Sequence, residues 1–307
     1  MRRFSPLLVL AAATLWGSNG LFVAPLSAAG LSSVQMTTAR FVFGLALAAM
    51  MCAVRHVDLR LRGWIDMVWM AVNGIVGVFL FGLAYTIAIQ LTGMATAAVL
   101  IYLMPSLVMA WSVARGRERL TIRRVCCLAM SLVGCALVSG VGSGAADFSL
   151  LGVLVGLAAA VCYAIDNVVQ AGPLVRYDPL CVITWSLLFG SAAAVLYAGI
   201  TGELVKGFAV LLDSPSVVML SMGYGALCTL MPLTLYNMAL RRLPVSVASL
   251  LATFEPVAAA IMGTVLLSQP LTPLMVAGIA FEVVSLVGIR LQSSSTRGER
   301  SACAPQI

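Results

Sequence analysis

Residues 85–105, YTIAIQLTGMATAAVLIYLMP, and residues 236–256, YNMALRRLPVSVASLLATFEP, follow one pattern at a spacing of 151 residues. Both stretches begin with tyrosine and end with proline, so Pro256 falls on the position of Pro105. A proline removes a helix hydrogen bond and permits a kink. The shared pattern predicts that the helices containing Pro105 and Pro256 are related, each with a hinge or gate at its proline.

The same register extends beyond this pair of segments. ERLT at 118–121 lies opposite QPLT at 269–272 without a gap, and a slightly different offset places AAATLWGSN at 11–19 opposite AAAVCYAID at 158–166. Single identities between apolar sequences arise by chance, whereas a constant register over several helices does not. The register therefore predicts an internal duplication.

The composition indicates a membrane protein. The chain has 307 residues, of which 62% are hydrophobic and 9% charged, and its mean hydropathy is +1.06. Soluble domains carry about 25% charged residues. Because every segment in lipid must satisfy its own backbone groups, we predict an all-α bundle of transmembrane helices.

Ten apolar segments are long enough to cross a bilayer. The first follows two arginines, as in a signal peptide, but it continues to about Leu26 without a convincing cleavage site, so we interpret it as a span. Residues 292–307 are polar and are predicted to form a disordered cytoplasmic tail. The predicted spans are 6–26, 34–54, 66–89, 94–113, 122–141, 150–170, 179–201, 216–239, 245–267 and 272–291.

The positive charges indicate the orientation of these spans. Of the 18 Lys and Arg residues, all but Arg40 and Lys206 fall on one side of the predicted topology, so both termini are predicted to be cytoplasmic. The repeats, 1–145 and 146–291, then hold five helices each, and this odd number inverts the second copy. The longest external connector, 202–215, is interpreted as a short interfacial helix.

An inverted repeat has consequences for function. Such folds bind substrate near the bilayer midplane between the halves, and exchange of the two conformations gives alternating access. The sequence carries no Walker A, GxSxG or HExxH pattern, which argues against an ATP-driven motor and disfavours a membrane-embedded enzyme. Its eight cysteines form no CxxC and His56 is its single histidine, so we predict no metal site and no cofactor. Nucleic-acid binding is also excluded, because the arginines occupy short loops.

Several motifs resemble a known family. LWGSN at 15–19, ARF at 39–41, YLMPSL at 102–107 and LLATFEPV at 250–257 resemble the EamA family of the drug/metabolite transporter superfamily, and the fourth span is similar to the bacterial amino-acid exporter branch. The resemblance covers 6–291. It implies a multi-pass transporter of the bacterial inner membrane, with a central cavity lined by helices 1, 3, 4, 6, 8 and 9, that exports small metabolites.

Ionisable side chains inside the spans are the first candidates for that cavity, because a central charge costs roughly 2.5–3.5 kcal/mol on insertion scales. Glu255 lies near the centre of the ninth span, where it is expected to bind a substrate amine, carry a proton or pair with Arg40; a purely structural role next to Pro256 is the alternative. Arg40 is predicted to pair with Glu282 or Glu255, or to bind a substrate carboxylate. Asp66, at the cytoplasmic mouth of the third span, is expected to be solvated.

Polar and aromatic residues at matching depths in the two repeats extend the set. Trp16 corresponds to Tyr163, and Asn73 corresponds to Tyr224. Tyr85 and its counterpart Tyr236 are interpreted as anchors at the membrane interface. The residues predicted to line the substrate cavity are Trp16, Asn19, Asn73, Tyr102, Tyr163, Asp166, Asn167, Tyr224 and Glu255.

The sequence thus predicts a secondary transporter that exports amino acids or related small metabolites. Exporters of drugs, nucleosides or other metabolites are the alternative within transport. The expected partners are a small-molecule substrate, the lipid bilayer and, for coupling, protons. The oligomeric state and the transported molecule stay open.

Overall fold

The computed structural model describes residues 4–117, 121–139, 149–267 and 271–302, and within these ranges all regular secondary structure is helical. The first half contains α1 (Ser5–Gly17), α2 (Asn19–Ala28), α3 (Ser33–Val54), α4 (Trp64–Val72), a π-helical segment (Asn73–Leu80), α5 (Phe81–Ile101), α6 (Met104–Ala114) and α7 (Ile122–Val138). The second half contains α8 (Leu150–Ala171), a 3-10 turn (Pro173–Val175), α9 (Pro179–Ile200), α10 (Glu203–Asp213), α11 (Pro215–Gly225), a π-helical segment (Ala226–Leu230), α12 (Met231–Leu240), α13 (Val245–Ala252), α14 (Glu255–Leu267) and α15 (Pro273–Ala302).

Polar residues start several of the long helices. Ser32 and Gln35 form a capping box at the start of α3, because the Ser32 hydroxyl accepts from the Gln35 backbone and the Gln35 side chain accepts from the Ser32 backbone. Ser149 begins α8 and Asp178 begins α9 through the same kind of side-chain acceptor. These caps place the helix starts within two residues of the predicted ones.

Eight helical segments of the described chain are long and apolar enough to cross a membrane. The prediction of an all-helical membrane protein is confirmed. Two further helices are shorter: α7 has 17 residues, and the apolar part of α15 covers Pro273–Gly288. They pack along each other, and Gly134 and Gly278 let their backbones approach closely.

The chain reverses direction within the segment assigned as α5. Phe81 belongs to the same apolar cluster as Ile101 and Tyr102, near the other end of that helix. A straight helix would separate these residues by about 30 Å. The two candidate spans on either side of the reversal are Trp64–Thr92 and Thr96–Ala114.

Close backbone contacts at glycines join the two halves. Helices α3 and α9 both have 22 residues. Gly225 lies against α3, where a Cβ on it would come within 2.8 Å of the Gly44 nitrogen. Gly74 lies against α9 in the same way, where its Cβ would come within 2.9 Å of the Gly190 nitrogen. Both contacts require glycine because the backbones touch.

The connector 202–215 contains α10, so its prediction as a short helix is correct. Glu203, the first residue of α10, accepts hydrogen bonds from Ser32 Oγ at 2.8 Å and from Gln35 Nε2 at 2.9 Å. Helix α10 is therefore tied to the start of α3. At the other end of the chain, α15 is assigned as far as Ala302, whereas residues 303–307 lie outside the described ranges, and the disorder of the tail stays a prediction.

Asp66 differs from its prediction as a solvated residue. It is buried, accepts a hydrogen bond from the Tyr177 hydroxyl at 2.5 Å and pairs with Arg176 Nη1 at 3.3 Å. Burial and the hydrogen bond to Asp66 raise the pKa of Tyr177. The prediction was wrong because the partners of Asp66 come from the connection before α9, far away in sequence.

Candidate functional site

Glu255 lies at a break in a membrane helix. Helix α13 ends at Ala252, a turn follows, and Glu255 is the first residue of α14. Among the described residues none donates a hydrogen bond to its carboxylate, although Arg40 interacts with it electrostatically. The positive end of the α14 dipole also faces this carboxylate. Other groups within electrostatic range of Glu255 are Tyr85, Tyr102, Tyr163, Cys135 and Cys228.

Arg40 extends from α3 between aromatic rings. Its guanidinium lies 4.7 Å from the ring centroid of Phe41 and 5.1 Å from that of Tyr224, and Nη1 donates to the Tyr224 hydroxyl at 3.3 Å. The ring of Tyr224 stacks on Phe22 of α2. In the described part of the protein the buried Nε of Arg40 has no hydrogen-bond acceptor. Arg40 therefore keeps a free donor.

The predicted ion pair between Arg40 and Glu282 is not formed. Glu282 is fully buried between α15 and α7, where it accepts hydrogen bonds from Ser131 Oγ at 3.1 Å and from Thr253 Oγ1. Its other carboxylate oxygen lies 3.8 Å from Cys135 Sγ. These donors hold Glu282 away from Arg40: Ser131 and Cys135 belong to α7, and Thr253 lies in the turn between α13 and α14.

A second carboxylate joins the two halves. Asp166 of α8 accepts a hydrogen bond from Asn73 Nδ2 at 2.8 Å, and both side chains are buried. Gly77 makes room for this contact, since a Cβ there would lie 2.5 Å from Asp166 Oδ1. The structure thus brings together two of the predicted site residues, Asn73 and Asp166.

Asn167 lies beside them on α8. Its Nδ2 donates to the Tyr163 carbonyl at 2.9 Å and its Oδ1 accepts from the Tyr236 hydroxyl. The Tyr236 ring lies 5.5 Å from that of Trp16. Tyr236 is 2% exposed, so its interpretation as an interfacial anchor is wrong. It belongs to the site, and its alignment with Tyr85 is the sequence signal that points to it.

The remaining predicted residues fall around this core. Tyr163 stacks on Phe81 with ring centroids 4.5 Å apart, and Phe81 also stacks on Tyr85. Tyr102 is buried in the turn after α5. Asn19 begins α2, and its buried Oδ1 has no donor within the described ranges. Phe81 and Tyr85 were not predicted for the site.

Both predicted prolines lie at helix breaks. Helix α5 ends at Ile101 and α6 begins at Met104, so Pro105 is the second residue of α6. In the other half α13 ends at Ala252 and α14 begins at Glu255, so Pro256 is the second residue of α14. Proline is well tolerated there, since the first amides of a helix have no internal acceptor. Motion at these breaks stays a prediction.

A separate shallow cleft lies between α3, α5 and α9, toward the predicted external side. It contains none of the predicted site residues; among its lining residues are Ser33, Thr37, Thr86 and Tyr197. The described residues contain no group of three or more His, Cys, Asp or Glu side chains placed to hold a metal ion.

Comparison with known proteins gives a consistent result. The model of the EamA-like transporter family matches residues 3–140 and again residues 150–291. An uncharacterized transporter of Archaeoglobus fulgidus is 26% identical over 272 residues, covering 88% of this chain and 90% of that protein. The uncharacterized inner membrane transporter YicL of Salmonella typhimurium is 27% identical over 293 residues, covering 94% and 92%.

A shorter match and a solved structure add to this. The threonine/homoserine exporter RhtA of Escherichia coli is 28% identical over 162 residues, about half of each chain (53% and 52%). A solved crystal structure has the same fold, with a TM-score of 0.78 at 20% identity, covering 96% of this chain and 99% of that one. The double match to the family model covers almost all of the chain, which therefore belongs to the EamA-like transporter family and is a membrane transporter, not an enzyme.

Proposed function

We propose that this transporter exports amino acids or closely related zwitterions across the bacterial inner membrane by alternating access. One observation carries the proposal: a half-buried cation, Arg40, lies within electrostatic range of a carboxylate, Glu255, and neither is fully paired within the described residues. A substrate with one charge of each sign complements both.

The proposed binding mode follows from the free groups. The substrate carboxylate accepts from Arg40, whose Nε has no acceptor in the described protein, and the substrate ammonium donates to Glu255, which has no donor there. Hydrogen bonds between charged groups contribute about 1.5–3 kcal/mol each. The exporter named for threonine and homoserine supports this substrate class.

Matched contacts between α7 and α15 support an arrangement of ten helices in two inverted repeats. The Ser285 hydroxyl donates to the Cys127 carbonyl, and Gly134 faces Gly278. Under a spacing of 151 residues, each of these contacts is the image of the other. Ser131 and Glu282 are themselves 151 residues apart, and the Ser131 hydroxyl donates a hydrogen bond to Glu282 Oε1. A twofold axis between α7 and α15 accounts for these relations.

The same symmetry supports alternating access. The breaks before Pro105 and Pro256 fall at equivalent positions, and each separates two half-helices next to the site. Discontinuous helices at the midplane are a common feature of secondary transporters. In the proposed cycle, the two breaks bend in turn and expose the site to opposite sides of the membrane.

A second substrate class has support from the aromatic residues. Trp16, Tyr236, Phe81 and Tyr163 form ring contacts beside the polar groups. Flat molecules such as nucleosides or aromatic drugs suit such surfaces. Export of these molecules is the alternative proposal.

The test is counterflow exchange by the purified chain in liposomes. The panel is radiolabelled threonine, homoserine, other amino acids, nucleosides and polyamines. We expect exchange of one or more amino acids, and a loss of roughly tenfold to a hundredfold in apparent affinity for Arg40→Gln and Glu255→Gln, the equivalent of one charged hydrogen bond.

Lys206→Gln is the matched control, because it removes a charge that is exposed on α10. It is expected to exchange as the wild type does. Exchange restricted to nucleosides or polyamines would replace the amino-acid proposal with the alternative. Unchanged affinity in both site variants would exclude the proposed binding mode.

A further inference from the structure

Glu282 is a buried carboxyl group outside the proposed substrate site. It is 0% exposed and lies where α15 meets α7 and the turn between α13 and α14. Its Oε1 contacts two hydroxyls, Ser131 Oγ at 3.1 Å and Thr253 Oγ1. Its Oε2 contacts Cys135 Sγ at 3.8 Å. Neutral donors thus surround the carboxyl group, and none of the described lysines or arginines pairs with it.

The hydroxyl of Thr253 has one hydrogen and two acceptors. It contacts Glu282 Oε1 and also the carbonyl oxygen of Leu250, the third residue from the end of α13. It also accepts from Ser131 Oγ at 2.9 Å. The Thr253 hydroxyl can donate its hydrogen fully to only one of the two acceptors. The contacts with Leu250 and with Glu282 are therefore both full hydrogen bonds only if Glu282 carries a proton and donates it to Thr253 Oγ1.

An ionised Glu282 changes this pattern. Ser131 and Thr253 then both donate to Oε1, and Cys135 donates to Oε2, so the charge is bound by three donors. The Leu250 carbonyl loses the Thr253 hydroxyl and keeps only the Thr253 backbone N–H, at 3.2 Å. One proton therefore decides how many hydrogen bonds hold the end of α13.

We propose that Glu282 is a proton-binding site that controls the break between α13 and α14. When Glu282 takes up a proton from water, the Thr253 hydroxyl donates to the Leu250 carbonyl and stabilises the turn between α13 and α14. When Glu282 loses the proton, that hydroxyl donates to the carboxylate instead and the turn is destabilised. Because Glu255 lies two residues after Thr253, the proton acts next to the substrate site. The coupling of this proton to transport rests on the proposed function, whereas the proton site itself does not.

Other titratable groups near Glu282 are few. Cys135 of α7 lies within electrostatic range of both Glu282 and Glu255. Tyr102, in the turn after α5, is within range of Cys135 and Glu255. Helix α13 contributes no titratable side chain. The test must therefore separate Glu282 from Glu255 and from these neutral groups.

The first measurement is infrared difference spectroscopy of the purified full chain between acidic and alkaline pH. We expect a band from the C=O stretch of a protonated, buried carboxyl group that disappears as the pH rises. The band should be absent in Glu282→Gln and present in Glu255→Gln and Asp166→Asn. A wild-type spectrum without such a band, or the same band in Glu282→Gln, would overturn the proton site.

The second measurement is hydrogen–deuterium exchange over residues 245–262 at the same two pH values. Relative to Glu282→Gln, which cancels the intrinsic effect of pH on exchange, the wild type should exchange several-fold faster at the pH where Glu282 is ionised. Thr253→Ser keeps the hydroxyl and should keep this difference, whereas Thr253→Val should remove it. An equal difference in Thr253→Val would rule out the hydroxyl as the link.

Neither measurement needs a substrate. Failure of all counterflow experiments would therefore exclude amino-acid export and leave the proton site standing. A failed infrared experiment would exclude the proton site and leave the transport proposal untouched.

Discussion

Arg40 shows how the protein stabilises a cation inside a membrane helix while one of its donors stays without an acceptor in the described residues. Arg40 lies about two turns inside α3, and a cation at the centre of a membrane span costs up to roughly 2.5–3.5 kcal/mol. The aromatic faces of Phe41 and Tyr224 offset part of this cost, since each cation–π contact contributes about 0.5–2 kcal/mol. The guanidinium is thus held in place by the protein, and Nε is left for an anion. Under the proposed function, this Nε is the donor that binds the substrate carboxylate.

Tyr236 gives a test of the site at the scale of one hydrogen bond. Tyr236→Phe removes the hydroxyl that donates to Asn167 and keeps the ring next to Trp16. A buried acceptor without its donor costs about 1–3 kcal/mol. We expect a lower Tm for this variant in detergent, measured by thermal unfolding.

Tyr197→Phe is the matched control for that substitution. Tyr197 contacts Phe79 through its ring, and its hydroxyl makes no hydrogen bond to the described residues. The control should therefore unfold at the temperature of the wild type. Equal Tm values for the two variants would mean that the hydrogen bond between Tyr236 and Asn167 is not formed in the membrane protein.

Single residues mark the limit of what the sequence can predict. The sequence singled out Trp16 and Asn167 as candidates, and the structure brings both into contact with Tyr236. Tyr236 itself was misjudged because its rotation about the helix axis cannot be read from a nearly uniform apolar sequence. Asp66 was misjudged because its partner, Tyr177, is 111 residues away in the chain.

At the scale of elements, the two π-helical segments stand out. Asn73–Leu80 precedes α5 and Ala226–Leu230 precedes α12, at positions that correspond in the repeat. π-Helices are rare and are frequent at functional sites. Gly74 and Gly225 lie at the start of these segments against α9 and α3. In both halves, the wider turn of the π-helix coincides with a close contact between two helices.

Gly74→Ala tests whether this contact is required. A Cβ at Gly74 would lie 2.2 Å from the Ser186 carbonyl oxygen and 2.8 Å from Phe189 Cβ, so α9 must move. Overpacking of this kind costs about 1–3 kcal/mol. We expect a clear loss of thermal stability and of folded yield, and the same direction for Gly225→Ala, whose Cβ would lie 2.8 Å from the Gly44 nitrogen.

Gly20→Ala is the control, because no atom lies within 4 Å of a Cβ at that helical position. Alanine is favoured over glycine in a helix by up to about 1 kcal/mol, so this variant should unfold at the wild-type temperature or slightly above it. Similar losses of thermal stability in Gly74→Ala, Gly225→Ala and Gly20→Ala would show that the destabilisation is not due to the backbone contacts.

The elements also differ in how far the sequence revealed them. The breaks before Pro105 and Pro256 were expected, because proline has a direct effect on a helix. The π-helical segments were not, because their residues are ordinary apolar ones and the extra residue per turn arises from tertiary packing. Ser131 and Thr253, which hold Glu282, were missed for a similar reason: hydroxyl groups inside a span give no signal until their partner is known.

For the whole molecule, the open question is whether α7 crosses the membrane. Its 17 residues span about 26 Å, somewhat less than the roughly 30 Å of a hydrocarbon core. Its close packing on α15 through Gly134 and Gly278 supports a crossing, because local thinning of the bilayer costs only a fraction of a kcal/mol per Å. We predict that α7 crosses.

The position of two surface residues decides this prediction. Between Arg117 and Lys206 lie α7, α8 and α9, so three crossings put these residues on opposite sides and two crossings put them on the same side. We expect Lys206→Cys, in a chain whose eight native cysteines are replaced, to react with a membrane-impermeant maleimide on intact cells, and Arg117→Cys to react only after permeabilisation. Labelling of both from one side would remove α7 from the membrane. The two halves would then no longer hold five spans each, and the inverted repeat, together with the alternating access derived from it, would have to be abandoned.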